Sequence, residues 1–269
     1  MKKQYYKHTN YKTLPSIGIS KSEKFLLDLI EKNNLDVFGL KELERITSWR
    51  KIKLNNTLYS MKKKSLIINI KRNMYTSSEN FQKNIFKIAN SVASPSYISF
   101  WTALSFYGYT EQQVNAIQIV STKQHKDLSI NSHRIEITKF KSERFYGYKR
   151  IENFVIAERE KSIIDSFFCP KKCGGFDEVL KCFINSWNSL DKEKFVEYLI
   201  RFNDKSLVSR IGYIIYALNL DKKRELEISE KYKSSSFVLL NQENKKTNKY
   251  DKRWKIILNH DIMKKEEIK

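Results

Sequence analysis

The sequence predicts an α+β protein, and three observations carry that expectation. The first 80 residues show three short helical periods, then two strand-like runs around a polar turn. Beyond them, apolar stretches of strand type are interspersed with longer helical ones. The composition, 41% hydrophobic with 16 Phe and 15 Tyr, can fill a core in a chain of 269 residues. That length suits one large or two small domains. We place the boundary near residue 80, giving domains 1–80 and 81–269.

In chain order, Ser20 can cap a helix, and Glu23 three residues on closes a capping box. Phe25, Leu26, Leu29 and Ile30 form its apolar stripe, and Asn33-Asn34 ends it. Leu40, Leu43 and Ile46 mark a second helix, followed by a turn over Thr47 to Arg50. In the third helix Leu54, Leu58 and Met61 face inward. Lys53, Asn56, Ser60 and Lys63 face outward at the same pitch, and Ile52 and Tyr59 also fall on the outer side. Leu66 to Ile70 reads as a strand, Lys71-Arg72-Asn73 as a turn and Met74-Tyr75-Thr76 as the return strand. Asn73 suits the left-handed position of such a turn. Three helices and a hairpin in this order make a winged helix-turn-helix, with a mixed α/β domain after it.

Ser77 to Asn80 reads as a polar break, and Phe81, Ile85, Ile88 and Ala89 as a helix. Tyr97 to Gln112 reads as a buried helix stopped by Gly108 and followed by a polar turn. Ala116 to Ser121, His133 to Phe140 and Phe154 to Ala157 are expected strands. A helix from about Glu158 to Phe168 ends before Pro170, and helices fill most of Phe176 to Leu220. Phe237 to Leu240 and Trp254 to Leu258 are candidate late strands among polar loops.

The net charge of +21 favours a polyanionic partner. From Trp49 to Tyr75 there are eight basic residues and no acid. They fall on the third helix and the hairpin, the two elements that face DNA in a winged helix. The expected contact residues are Arg50, Lys51, Lys53, Asn55, Asn56, Lys63, Lys64, Lys71 and Arg72. The cations can neutralise phosphates, and the two asparagines can make the bidentate contact that reads adenine.

Enzymatic readings find little purchase. Three cysteines, Cys169, Cys173 and Cys182, have no histidine beside them in a ligand spacing, so buried free thiols are expected and no metal. Gly174-Gly175 is not followed by the Asp-x-Asp pair of a nucleotidyltransferase, and there is no P-loop or Rossmann glycine run. His8, His125, His133 and His260 are scattered. We expect no catalytic activity and no cofactor. Met1 to Gln4 opens on no apolar signal core, and no segment is long enough to span a bilayer, so a cytoplasmic location is expected.

Five segments add a resemblance: Tyr97 to Gln112; Arg144-Phe145-Tyr146-Gly147; Ala157 to Asp165; Pro170 with Gly174-Gly175; and Ser209-Arg210-Ile211-Gly212-Tyr213. In this order, downstream of a winged helix, they resemble the AbiEi family of antitoxins, transcriptional regulators of viral defence. The resemblance covers about residues 20 to 220. It implies a winged helix that binds operator repeats in double-stranded DNA and represses its own operon. It also implies a second domain that counteracts a nucleotidyltransferase-type toxin, directly or indirectly. The alternative is a stand-alone winged-helix transcription factor without a toxin. Physically, the second-domain motifs read as scaffold. Gly174-Gly175 suits a tight turn, Asp165 can pair with Arg144 or Lys161, and Arg210 suits a buried ion pair or a partner contact.

Overall fold

The computed structural model describes residues 18–229 and 232–262, so the expectation for Met1 to Gln4 lies outside the described residues. The chain is mixed α and β, and it divides into two compact units between Ile85 and Phe86.

The first unit opens with α1 (Lys21–Lys32). The capping box forms: Glu23 N donates to Ser20 Oγ at 3.3 Å, and Ser20 N donates to Glu23 Oε2 at 2.7 Å. Two of the four N–H groups that a helix start leaves unpaired are thereby satisfied. Asn33 caps the other end, and Asn34 takes a left-handed conformation. The short strand β1 (Phe38–Gly39) leads into α2 (Leu40–Thr47). A left-handed Ser48 then turns the chain into α3 (Lys51–Lys63).

Leu26, Ile30, Leu43, Leu54, Leu58 and Met61 bury together with Phe38 and Ile67 as one core. Each such side chain contributes about 1.5–3 kcal/mol by leaving water. Phe25, expected inward, is instead partly exposed and stacks on Trp49 with ring centroids 5.3 Å apart.

The hairpin consists of β2 (Ile67–Lys71) and β3 (Met74–Ser77), and β1 pairs on the far side of β3. Lys71 belongs to the strand, so the turn is Arg72-Asn73, with Asn73 left-handed as its residue type favours. The polar break does not hold. Ser77 caps α4 (Ser78–Lys83), its hydroxyl accepting from Asn80 N at 3.1 Å. Serine favours caps as readily as loops, which is why its type alone misleads.

The second unit begins with α5 (Ile85–Val92), whose first residue sits at the division. Tyr97 to Gln112 is not one helix. Tyr97 and Ile98 lie in strand β4 (Ser96–Ile98), and only Phe100–Phe106 is helical, as α6. Strand pairing on both sides of β4 outweighs the local apolar period. Gly108 takes a left-handed φ of 74° just past the helix, the stop its residue type announced.

The strands β5 (Ala116–Ser121), β6 (Leu128–Ile130), β7 (His133–Lys139), β8 (Tyr148–Ile151) and β9 (Phe154–Ala157) complete a six-stranded sheet, ordered β6-β7-β5-β4-β9-β8. The pairs β5–β7 and β4–β9 are parallel and the others antiparallel. Then come α7 (Arg159–Phe168), α8 (Phe176–Ser186), α9 (Lys192–Arg201), α10 (Lys205–Ala217) and α11 (Lys222–Ser229). Helix α6 packs on β5 and α7, and α7 on α8, α9 and β9.

A small sheet ends the described chain, with β10 (Val238–Leu239) and β11 (Tyr250–Asp251) on either side of β12 (Ile256–Ile257). Trp254 precedes β12 and is fully buried. It fits because residue 212 is glycine: a Cβ there would lie 2.0 Å from the indole ring.

Candidate nucleic-acid interface

Helix α3 buries Leu54, Thr57, Leu58 and Met61. The opposite face carries Ile52, Asn55, Asn56, Tyr59 and Lys63, all exposed, at steps of three and four residues. Arg50, Lys51 and Lys53 crowd its first turn, and all three are exposed. Arg50 holds the N-cap position without a side-chain bond to the helix, and no acid sits in the first turn. Cations at the positive end of a helix dipole are unfavourable unless an anion joins them. Lys53 lies over the Trp49 ring, its Nζ 3.8 Å from the centroid, and Lys63 Nζ lies 4.9 Å from that of Tyr59.

The outward line expected from sequence is rotated. Ser60 is half-buried and donates to Glu23 Oε1 at 2.7 Å. Lys64, expected to face a phosphate, instead pairs with Glu23 Oε2 at 2.7 Å and donates to the Gly18 carbonyl at 2.9 Å. Both side chains are thus drawn to the flank where α1 packs on α3. Glu23 is only 1% exposed. Burial pushes its carboxyl up, but the Lys64 ammonium, the Ser60 hydroxyl and the Ser20 groups outweigh that and hold it down at about 2. On the hairpin, Arg72 is exposed at the turn, while Lys71 is half-buried in β2.

The second unit contains a different polar cluster. Lys161 and Asp165, one turn apart on α7, form an ion pair whose side chains are both fully buried. Of the two partners expected for Asp165, the structure selects Lys161. Ser99 Oγ and Tyr97 Oη donate to Asp165 Oδ2 at 2.7 and 3.1 Å. Burial drives Lys161 down and Asp165 up, each opposed by the attraction of the other. The rings of Tyr97, Phe140, Tyr146 and Phe202 surround the ammonium at 5.1–5.5 Å. With every polar member sealed from solvent, the cluster can hold α7 against β4 but cannot meet a substrate.

Arg144 is occupied elsewhere. Its guanidinium lies 4.6 and 4.5 Å from the Phe168 and Phe202 centroids and 3.5 Å from Asp204. Arg210 is buried and donates to the Leu239 carbonyl at 2.9 Å, which ties α10 to β10. Gly174 and Gly175 both take positive φ ahead of α8, the tight turn expected of them.

Cys169, Cys173 and Cys182 are free, the first half-buried and the others buried. Burial pushes all three thiols up, Cys169 to about 11 and Cys182 to about 12. Among the described residues no group of three His, Cys, Asp or Glu is placed to hold a metal ion, and no helix is long and apolar enough to cross a membrane. An open cleft of about 400 Å³ lies between Lys149, Glu158, Arg159, Glu160, Asp191 and Lys194. Its charges are balanced, and Lys194 pairs with Glu158 at 2.7 Å, so it favours no ligand of either sign.

No protein-family model and no curated protein matches this sequence. Among solved structures the chain is similar to the crystal structure of the RV2827C protein from Mycobacterium tuberculosis. The two share a TM-score of 0.64 at 9% identity, over 89% of this chain and 92% of that one. At that identity the likeness is one of fold.

Proposed function

We propose that this protein is a winged helix-turn-helix DNA-binding regulator that represses its own operon. We further propose that it acts as an AbiEi-type antitoxin against a nucleotidyltransferase-type toxin. The observation that carries the DNA-binding reading is the exposed face of α3. It is free of acids, polar through Asn55 and Asn56, and flanked by Arg50, Lys51, Lys53, Lys62 and Lys63. The hairpin adds Arg72 beside the left-handed turn. A helix of this kind with a basic strand pair after it suits a major groove and its phosphate walls. The N-terminus of α3, without a cap and lined by cations, is a place where a phosphate would relieve repulsion.

With Lys64 committed to Glu23, Arg50, Lys51, Lys53, Lys62, Lys63 and Arg72 remain for phosphates. Six such contacts give a slope of log affinity against log salt of about −5. The test is a gel shift with the full-length protein on the promoter of its own gene. The combined Lys53→Ala and Asn56→Ala variant should bind roughly five- to a hundredfold more weakly. Unchanged binding would sink the assignment of α3. The antitoxin half rests on the resemblance through Tyr97 to Gln112 and the four later segments. Co-expression should rescue cells from a nucleotidyltransferase-like neighbouring gene. Rescue should persist in the α3 variant when the antitoxin is supplied from an unrelated promoter.

A further inference from the structure

On the exposed face of α3, two large side chains with apolar surface are left to solvent. Ile52 is 74% exposed and Tyr59 63%. They are seven residues apart, on one line of the helix, with Asn56 between them and Lys63 one turn beyond. The buried stripe of Leu54, Leu58 and Met61 lies on the opposite side, so neither Ile52 nor Tyr59 contributes to the core of its unit. Most of the Ile52 side chain lies in water in the free protein, and a surface laid over it would bury that area. Its surroundings call for a negatively charged partner, because the stretch from Trp49 to Tyr75 has eight cations and no acid. A polyanion fits them. Within a DNA major groove the apolar feature that distinguishes one base pair from another is the thymine 5-methyl group.

We propose that Ile52 and Tyr59 read thymine methyl groups and that Asn56 reads an adenine between them, so that α3 selects an A·T-containing major groove. The spacing is compatible with this. Seven residues of helix span about 10 Å, close to three base-pair steps at about 3.4 Å each. The inference rests on the DNA-binding reading above and adds to it the base composition of the site.

The experiment begins with selection from a randomised duplex pool by the full-length protein. The best duplex is then resynthesised with deoxyuridine for thymidine, which removes only the 5-methyl groups. The wild type should select a site with A·T pairs about three steps apart and bind the uracil duplex at least about fourfold more weakly, the effect of one lost methyl contact. Ile52→Ser should bind thymine and uracil duplexes with a clearly smaller difference, and Ile52→Leu should restore it. Position 52 is exposed, so both variants are expected to fold, which circular dichroism checks. A selected site without thymine would overturn the inference. So would equal binding of the two duplexes, or an undiminished uracil effect in Ile52→Ser, while duplex binding itself still stood. Loss of self-association in Ile52→Ser, seen by sedimentation, with unchanged methyl dependence would make this face a contact between copies and also overturn it. A wild type that binds no duplex at all would overturn both readings.

Discussion

Glu23 closes the capping box of α1, accepts from Ser60 and pairs with Lys64 on the far end of α3. A buried carboxylate with three donors, Ser20 N, Ser60 Oγ and Lys64 Nζ, is stabilising only while it is charged. Its folded value of about 2 lies below the ordinary 4.5. The unfolded chain therefore takes up the proton first as pH falls, and the contribution of Glu23 is full above about pH 4.5 and disappears towards pH 2. Glu23→Gln should cost about 1–3 kcal/mol at neutral pH. Chemical denaturation should also show a flatter stability profile for this variant between those two pH values. At a second residue, Gly212, no special backbone angle is involved. The hydrogen in place of a Cβ leaves room for the Trp254 ring. Gly212→Ala should destabilise the second unit by about 1–3 kcal/mol, measured as a lowered transition in calorimetry.

Among elements, α3 was legible in sequence because one helix with one buried face writes its period directly into the chain. Leu54, Leu58 and Met61 announced the inward side, and all three are buried. What the period did not disclose was which outward residues a neighbouring helix would claim. Packing of α1 took Ser60 and Lys64 and left Ile52, Asn56, Tyr59 and Lys63 outermost.

Strand β4 was illegible for the opposite reason. Three residues are too few to show alternation, and it became a strand because β5 and β9 flank it. The same limit hid β1, β6 and β11, of two, three and two residues, whereas β8, as long as β9, was hidden by its polar, exposed residues Tyr148-Lys149-Arg150. At this scale the Lys161–Asp165 pair is the sharpest test of structure. Removing one charge strands the other inside the core, so Asp165→Asn should cost about 3–5 kcal/mol. Lys161→Met combined with Asp165→Leu should recover most of that loss. An undiminished penalty in the double variant would show that the hydrogen bonds of Ser99 and Tyr97, rather than the charge pair, set the requirement.

For the whole molecule, positive charge is denser in the first unit, which carries the proposed DNA-binding helix. Residues 1–85 hold 18 Lys and Arg against 7 Asp and Glu, and residues 86–269 hold 33 against 23. The net excess is thus about equal, +11 and +10, but the first unit is less than half as long. Its core of Leu26, Leu43, Leu54 and Met61 is also separate from the core built on α6 to α10. A fragment of residues 1–85 should therefore fold and bind duplex DNA with the salt slope of the full chain. A slope near zero in a fluorescence-anisotropy titration would count against phosphate-led binding.

By itself the sequence determined the mixed α and β class, the periods of α1, α2 and α3, the capping box of α1, the turns at Asn73, Gly108 and Gly174-Gly175, and the concentration of positive charge. These are local properties: backbone freedom, capping chemistry and the repeat of apolar side chains act within a few residues. The tertiary structure decided that Lys64 serves Glu23, that Asp165 pairs with Lys161 rather than Arg144, that Arg210 ties α10 to β10, and that Tyr97 lies in a strand. Except for Lys161, one turn from Asp165, each of those outcomes depends on a partner distant in the chain, and the Lys161–Asp165 pair too is sealed by rings from distant elements. Burial there sets how strongly charges and hydrogen bonds count, and no local pattern carries that information.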